Sequence, residues 1–167
     1  PIWNALSQNE EFFDDYINRW SDLSNTYLSC DFMVQHLDSL INLIEPEMQD
    51  QIDRWGGTYG EWQSNVTFMK DFMLERCDVL NSSLVDCYDI EGPYNVTVEI
   101  VGMGEVQLNS VEIGNNNSPW NGEYFGGVNI DFAVQNGIFS NYEIISNEAY
   151  AYNPTDSEFS LELLGDI

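Results

Sequence analysis

Positive charge is what this 167-residue sequence has least of: four Lys and Arg residues stand against 29 Asp and Glu, a formal net charge of −25. A polyanion of this kind repels phosphate backbones, which excludes nucleic acid as a partner. Anionic lipid surfaces are disfavoured for the same reason. Histidine is nearly absent as well, with His36 alone, and the three cysteines include no C-x-x-C pair. A structural zinc site therefore lacks its ligand set. No apolar run approaches the ~20 residues that a membrane helix needs. The sequence opens on Pro1 with no charged segment and apolar stretch behind it, so it is expected to be a piece of a longer protein. The acidic residues are spread along the chain rather than gathered in a block. That pattern suits a solvated surface in a salty or extracellular setting, with recruitment of cations or basic partners as the sharper alternative.

What is present is enough apolar material for a core: 43% hydrophobic and 14% aromatic residues. The pattern predicts an α+β fold, a helical bundle segment over residues 1–91 followed by a small antiparallel all-β domain over 92–167. Ser7 and Glu10 have capping-box spacing. Phe12, Phe13, Tyr16, Ile17, Trp20 and Leu23 then recur every three or four residues, the period of one helix face. A second helix is expected over Asp31–Ile44, with Phe32, Met33, Leu37, Leu40, Ile41 and Ile44 inward. Pro46 suits the first turn of a third, which Gly56-Gly57 stops after Trp55. A fourth carries Trp62, Val66, Met69, Phe72, Met73 and Leu80, and a separate short turn holds Leu84, Val85 and Tyr88.

Beyond Gly92-Pro93 the period becomes two. Tyr94–Val101 reads as a strand, and Gly102-Met103-Gly104 as a tight turn making a hairpin with Glu105–Leu108. Asn115–Pro119 is a loop. Val128–Val134, Phe139–Ile145 and Phe159–Leu164 are further strands. Cys77 and Cys87 could pair across a helix end, which would fit an oxidising compartment. Equally, Cys30, Cys77 and Cys87 could all be small buried hydrophobes.

No catalytic constellation emerges. Gly102-x-Gly104 lacks the third glycine and the lysine-bearing strand of a kinase glycine loop, since position 107 is Gln107. Lys70, the single lysine, sits beside Asp71 in a helix and reads as a surface charge. No serine or cysteine elbow accompanies His36. A glycosidase-type carboxylate pair facing across a cleft is not suggested by any spacing. Arg19-Trp20 and Arg54-Trp55 repeat one dipeptide at two helix ends, where a cation complements the helix dipole and can stack on indole. Trp120, Tyr124, Phe125, Tyr150 and Tyr152 are the candidate ligand-facing aromatics, a possible sugar platform; the competing expectation is that they fill the small β core. Asn65, Asn81, Asn95 and Asn116 open glycosylation sequons, which chance supplies in an Asn-rich chain.

Phe12-Phe13, Arg19, Leu23 and Tyr27-Leu28, then Ile44-Glu45-Pro46-Glu47-Met48 leading to Arg54-Trp55, then Trp62, Val66, Phe72 and Arg76, resemble the segment after the catalytic core in CotH kinase-like proteins. Val96–Val98, Gly102-x-Gly104, Pro119-Trp120-x-Gly122-x-Tyr124-Phe125-x-Gly127, Gly137-x-Phe139 and Phe159–Leu163 resemble a small bacterial β-repeat. The resemblance implies a secreted or cell-surface bacterial protein, an atypical kinase using ATP with Mg or Mn to phosphorylate protein serines. It puts those catalytic residues upstream of Pro1 and leaves Arg19, Trp20, Arg54, Trp55 and Arg76 structural. The expected role of this chain is then non-catalytic: support for an upstream kinase core and an accessory interaction module. The alternative is an extracellular module that binds glycan or a surface protein.

Overall fold

The computed structural model describes residues 2–167, apart from the side chains of residues 78 and 81. Helices come first and antiparallel sheets follow, so the fold is α+β. The chain divides into two compact units, and the division is not at Gly92-Pro93. One unit joins the chain up to Asn25 with Leu84–Ile167, and the other is Thr26–Ser83. We call them the sheet unit and the helical unit.

The sheet unit begins with α1 (Ile2–Leu6) and α2 (Glu10–Ser24). Asn9, not Ser7, caps α2: its Oδ1 accepts from the Phe12 N–H at 2.8 Å. Asn9 is extended while Ser7 still belongs to the end of α1, so the expected capping box has no free backbone to act on. Glu10 and Glu11 fall in the first turn, beside the positive end of the helix dipole.

Six strands follow: β1 (Glu91–Val98), β2 (Gly104–Leu108), β3 (Val111–Gly114), β4 (Trp120–Gly126), β5 (Asn129–Gly137) and β6 (Glu158–Glu162). β1 pairs with β4, and a four-stranded sheet runs β3-β2-β5-β6, all antiparallel. The hairpin expected at Gly102–Gly104 therefore does not form. β2 turns back on β3 instead, through Asn109 at φ 48° and Ser110. Asn115 reaches across and holds the Gly102–Gly104 turn, accepting from the Gly104 N–H and donating to the Gly102 carbonyl. Phe139–Ile145, expected as a strand, is irregular. Its ring Tyr142 stacks on Phe159 at 4.2 Å and on Tyr152 at 5.2 Å, so the segment is fastened by side chains rather than by a backbone ladder.

Val96, Leu108, Val111, Ile113, Tyr124, Ile130, Phe132, Leu161 and Leu163 make one core to which both sheets contribute. A second cluster, Ile17, Leu84, Ile90, Phe125 and Val128, joins α2 to the strands, with Phe13, Tyr16, Trp20 and Tyr88 against it. Gly122 is needed because the Trp120 indole folds over it, and a Cβ there would collide with the ring.

The helical unit holds α3 (Cys30–Ile44), a 3-10 turn at Glu45–Glu47, α4 (Met48–Trp55) and most of α5 (Tyr59–Tyr88). α5 is one helix of 30 residues, so the short turn at Leu84–Tyr88 is its continuation and not a separate element. Thr58 and Glu61 form the capping box at its start: Thr58 Oγ1 accepts from the Glu61 N–H at 3.2 Å and donates to Glu61 Oε2 at 2.9 Å. Gly56 ends α4 with φ 84°, a left-handed position open to glycine.

Cys30 and Cys77 form a disulfide, while Cys87 is free and exposed. The expected Cys77–Cys87 pair fails for a simple reason. Both lie on α5, ten residues apart, and a helix rises about 1.5 Å per residue, which puts them beyond the reach of one S–S bond. Lys70 pairs with Asp38, and the Tyr59 hydroxyl donates to Glu45. These three ties link ascending positions of α3 and its end (30, 38, 45) to descending positions of α5 (77, 70, 59), so the two helices run antiparallel. The apolar face expected to point inward from α3 is largely open. Phe32, Leu40 and Ile44 are all exposed, and α3 has no buried residue.

Candidate functional site

The most developed polar arrangement in the sheet unit lies where α2 meets the strands. Asn18, Asp22 and Asn25 stand four and three residues apart, a spacing that puts them on one helix face. Asn18 donates from Nδ2 to the Asn129 carbonyl at 2.6 Å. Asn25 meets the backbone of Glu123 twice: its Oδ1 accepts the N–H and its Nδ2 donates to the carbonyl, both at 2.8 Å. The amide thus fills the place of a neighbouring strand on the free edge of β4.

Asp22 is almost fully buried. Its Oδ1 accepts from the Tyr124 hydroxyl at 2.7 Å, and its Oδ2 accepts from the Ser110 N–H at 2.8 Å and from the Ser110 hydroxyl. Arg19 donates in turn to Ser110 Oγ at 2.8 Å. A carboxylate taken out of water needs such donors. Burial drives the Tyr124 phenol far above its ordinary pKa, and the Asp22 charge pushes the same way. The phenol therefore stays protonated and remains a donor. Chemically this is a clamp: every polar atom named here is spent on holding α2 to the strands.

Arg19 thus contacts the β2–β3 turn, and Trp20 packs on the second cluster. Arg54 lies over the Trp55 ring at 5.5 Å, and Arg76 over Phe72 at 5.1 Å. Both pairs are in the helical unit. The five candidate ligand-facing aromatics do not share one surface. Tyr124 and Phe125 are in the cores, and Trp120 and Tyr150 pack against the first of them. Tyr152 alone of the five is classed as exposed, at 39%. The physical reason is strand alternation along β4: Tyr124 faces the core between the sheets and Phe125 faces the opposite side, where it packs with Ile17 and Leu84.

Lys70 pairs with Asp38, and the Gly102–Gly104 turn is held by Asn115. His36 is stacked on Phe32 at the surface. No group of three or more His, Cys, Asp or Glu among the described residues is placed to hold a metal. Asn65, Asn95 and Asn116 are exposed, while the side chain of Asn81 lies outside the described residues. No helix of the described residues is long and apolar enough to cross a membrane.

Sequence reading missed Asn18, Asp22, Asn25 and Ser110. At 100° per residue these three polar residues of α2 and its C-cap fall opposite the Phe12–Leu23 apolar stripe, on the face that sequence alone assigns to solvent. Their partners are strand backbones about a hundred residues away, which no local pattern names.

The family model described as CotH kinase protein matches residues 1–80. Over that stretch, just under half of its length, the chain is similar to CotH kinase proteins. Neither a curated protein nor a solved structure matches it significantly. The matched stretch takes in α1 to α4, most of α5, and Arg19, Arg54 and Arg76. It stops before β1, so the likeness of the strands to a bacterial β-repeat rests on their residues alone.

Proposed function

We propose that this chain is a non-catalytic C-terminal region of a CotH-like secreted kinase, which supports the kinase core and offers an accessory interaction surface. One observation carries the reading. α2 lies inside the family-matched stretch and is fixed to strands outside it by Asn18, Arg19, Asp22 and Asn25. The strands are then fastened to α2 of the matched stretch and are not a tethered passenger. The disulfide supports the extracellular or cell-surface part of the reading, because such bonds persist in oxidising compartments. ATP and its Mg or Mn belong, on this reading, to residues of the parent protein upstream.

The test is calorimetric titration of ATP with Mg²⁺ or Mn²⁺ into the folded chain. No heat is expected. Saturable heat at micromolar affinity would put a nucleotide site on these residues and overturn the reading. The rival, a glycan-binding module, now draws on Tyr152 as its one exposed ring of the five; a glycan array giving no Tyr152-dependent binding would end it.

A further inference from the structure

The helical unit carries an apolar stripe on the face of α5 turned away from α3. Tyr59, Lys70 and Cys77 mark the inner face by their ties to α3. Phe72 and Val79 each lie two residues past a tie, and Phe68 two before one. Two residues turn a helix by about 200°, so these three point outward. Phe68 is 72% exposed, and Met69, Phe72 and Val79 are close to half exposed. A helix that is apolar on both faces is one that something covers.

Charge decides what covers it. Glu61, Asp71 and Glu75 are exposed on the same helix. Its two cations are occupied, Lys70 with Asp38 and Arg76 over Phe72. A second copy would bring another −25 against this chain. We propose that the outer face of α5 docks a cationic amphipathic helix, with apolar anchors on Phe68, Met69, Phe72 and Val79 and Lys or Arg facing Glu61, Asp71 and Glu75. This deepens the interaction half of the proposed function and rests on it.

The probe is a fluorescein-labelled 18-residue helical peptide of Leu and Lys at amphipathic spacing, with a twin carrying Glu for Lys. Saturable anisotropy is expected with the Lys peptide, at least tenfold weaker with the Glu twin. The double variant Phe68→Ser, Phe72→Ser leaves the net charge unchanged and should weaken the Lys peptide at least tenfold, with Val79→Ser as a milder second variant. Circular dichroism checks that each variant keeps its helices. Equal affinity for the variants would reduce the effect to bulk charge and overturn the proposal. So would no binding, equal binding of both peptides, or a sedimenting dimer that Phe72→Ser dissolves. The ATP titration reads the proposed function separately, so the two failures are distinguishable.

Discussion

The sheet unit and the helical unit are held together by different physics. The sheet unit has two packed clusters, including Ile17, Leu108, Ile113, Tyr124 and Ile130 at essentially no exposure. Within it the buried Asp22 accepts from Tyr124 and Ser110. The helical unit has no fully buried residue among those described, and its helices are joined by a disulfide, an ion pair and a hydrogen bond. One unit excludes water and the other is stapled. Burial and cross-linking are alternative answers to conformational entropy, and a unit that lacks the first depends on the second.

The largest way to break this contrast is to remove the staple. The double variant Cys30→Ser, Cys77→Ser opens a loop with 47 residues of sequence separation, and loop-closure entropy of that size is worth about 4 kcal/mol. Amide exchange should accelerate across α3 and α5 up to residue 83 and stay unchanged in β1–β6. Equal loss in the strands would mean that the units do not melt separately. Next, Ile17→Ala removes a wholly buried side chain and should cost the sheet unit about 3 kcal/mol, read from a denaturant midpoint. Asp22→Ala strips the acceptor from Ser110 and Tyr124, a loss of about 2 kcal/mol from orphaned donors. Exchange should then rise in α2 and at Ser110 together; a rise in α2 alone would argue against the clamp.

Alkali should also weaken the sheet unit. Burial and the hydrogen bond to Tyr88 push Tyr16 from 10.0 up to about 12. A raised folded pKa means that the neutral phenol is favoured in the fold. Its stabilisation is complete below pH 10 and is lost as pH rises through about 12. Tyr124 in the sheet unit is shifted in the same direction, and so is Tyr59 in the helical unit through its hydrogen bond to Glu45. Tyr16→Phe should flatten the fall in stability over that window, and an unchanged slope would show that the phenol carries none of it. The smallest effect is Lys70→Gln. The pair with Asp38 is partly exposed on both sides, so less than about 1 kcal/mol is expected, shrinking further in salt.

The sequence by itself determined where α2 to α4, most of α5 and several of the strands lie, because caps, breakers and periodicity act within a few residues. α3 begins one residue from its expected start, Gly56 stops α4, and the period-two stretches at Tyr94 and Val128 are strands. Likeness to CotH proteins was legible too, since it is carried by helix sequences along residues 1–80. Tertiary structure decided everything non-local. It chose β4 over β2 as the partner of β1, because pairing depends on which apolar faces meet and not on the nearest turn. Helix geometry forbade the nearer cysteine pair and brought Cys30 to Cys77. Tyr124 and Phe125 were drawn into the cores, and α2 was grouped with the strands instead of with the helices that follow it in sequence. Asp22 shows the reason most plainly: a buried carboxylate needs donors, and only the folded chain brings Ser110 and Tyr124 within reach of it.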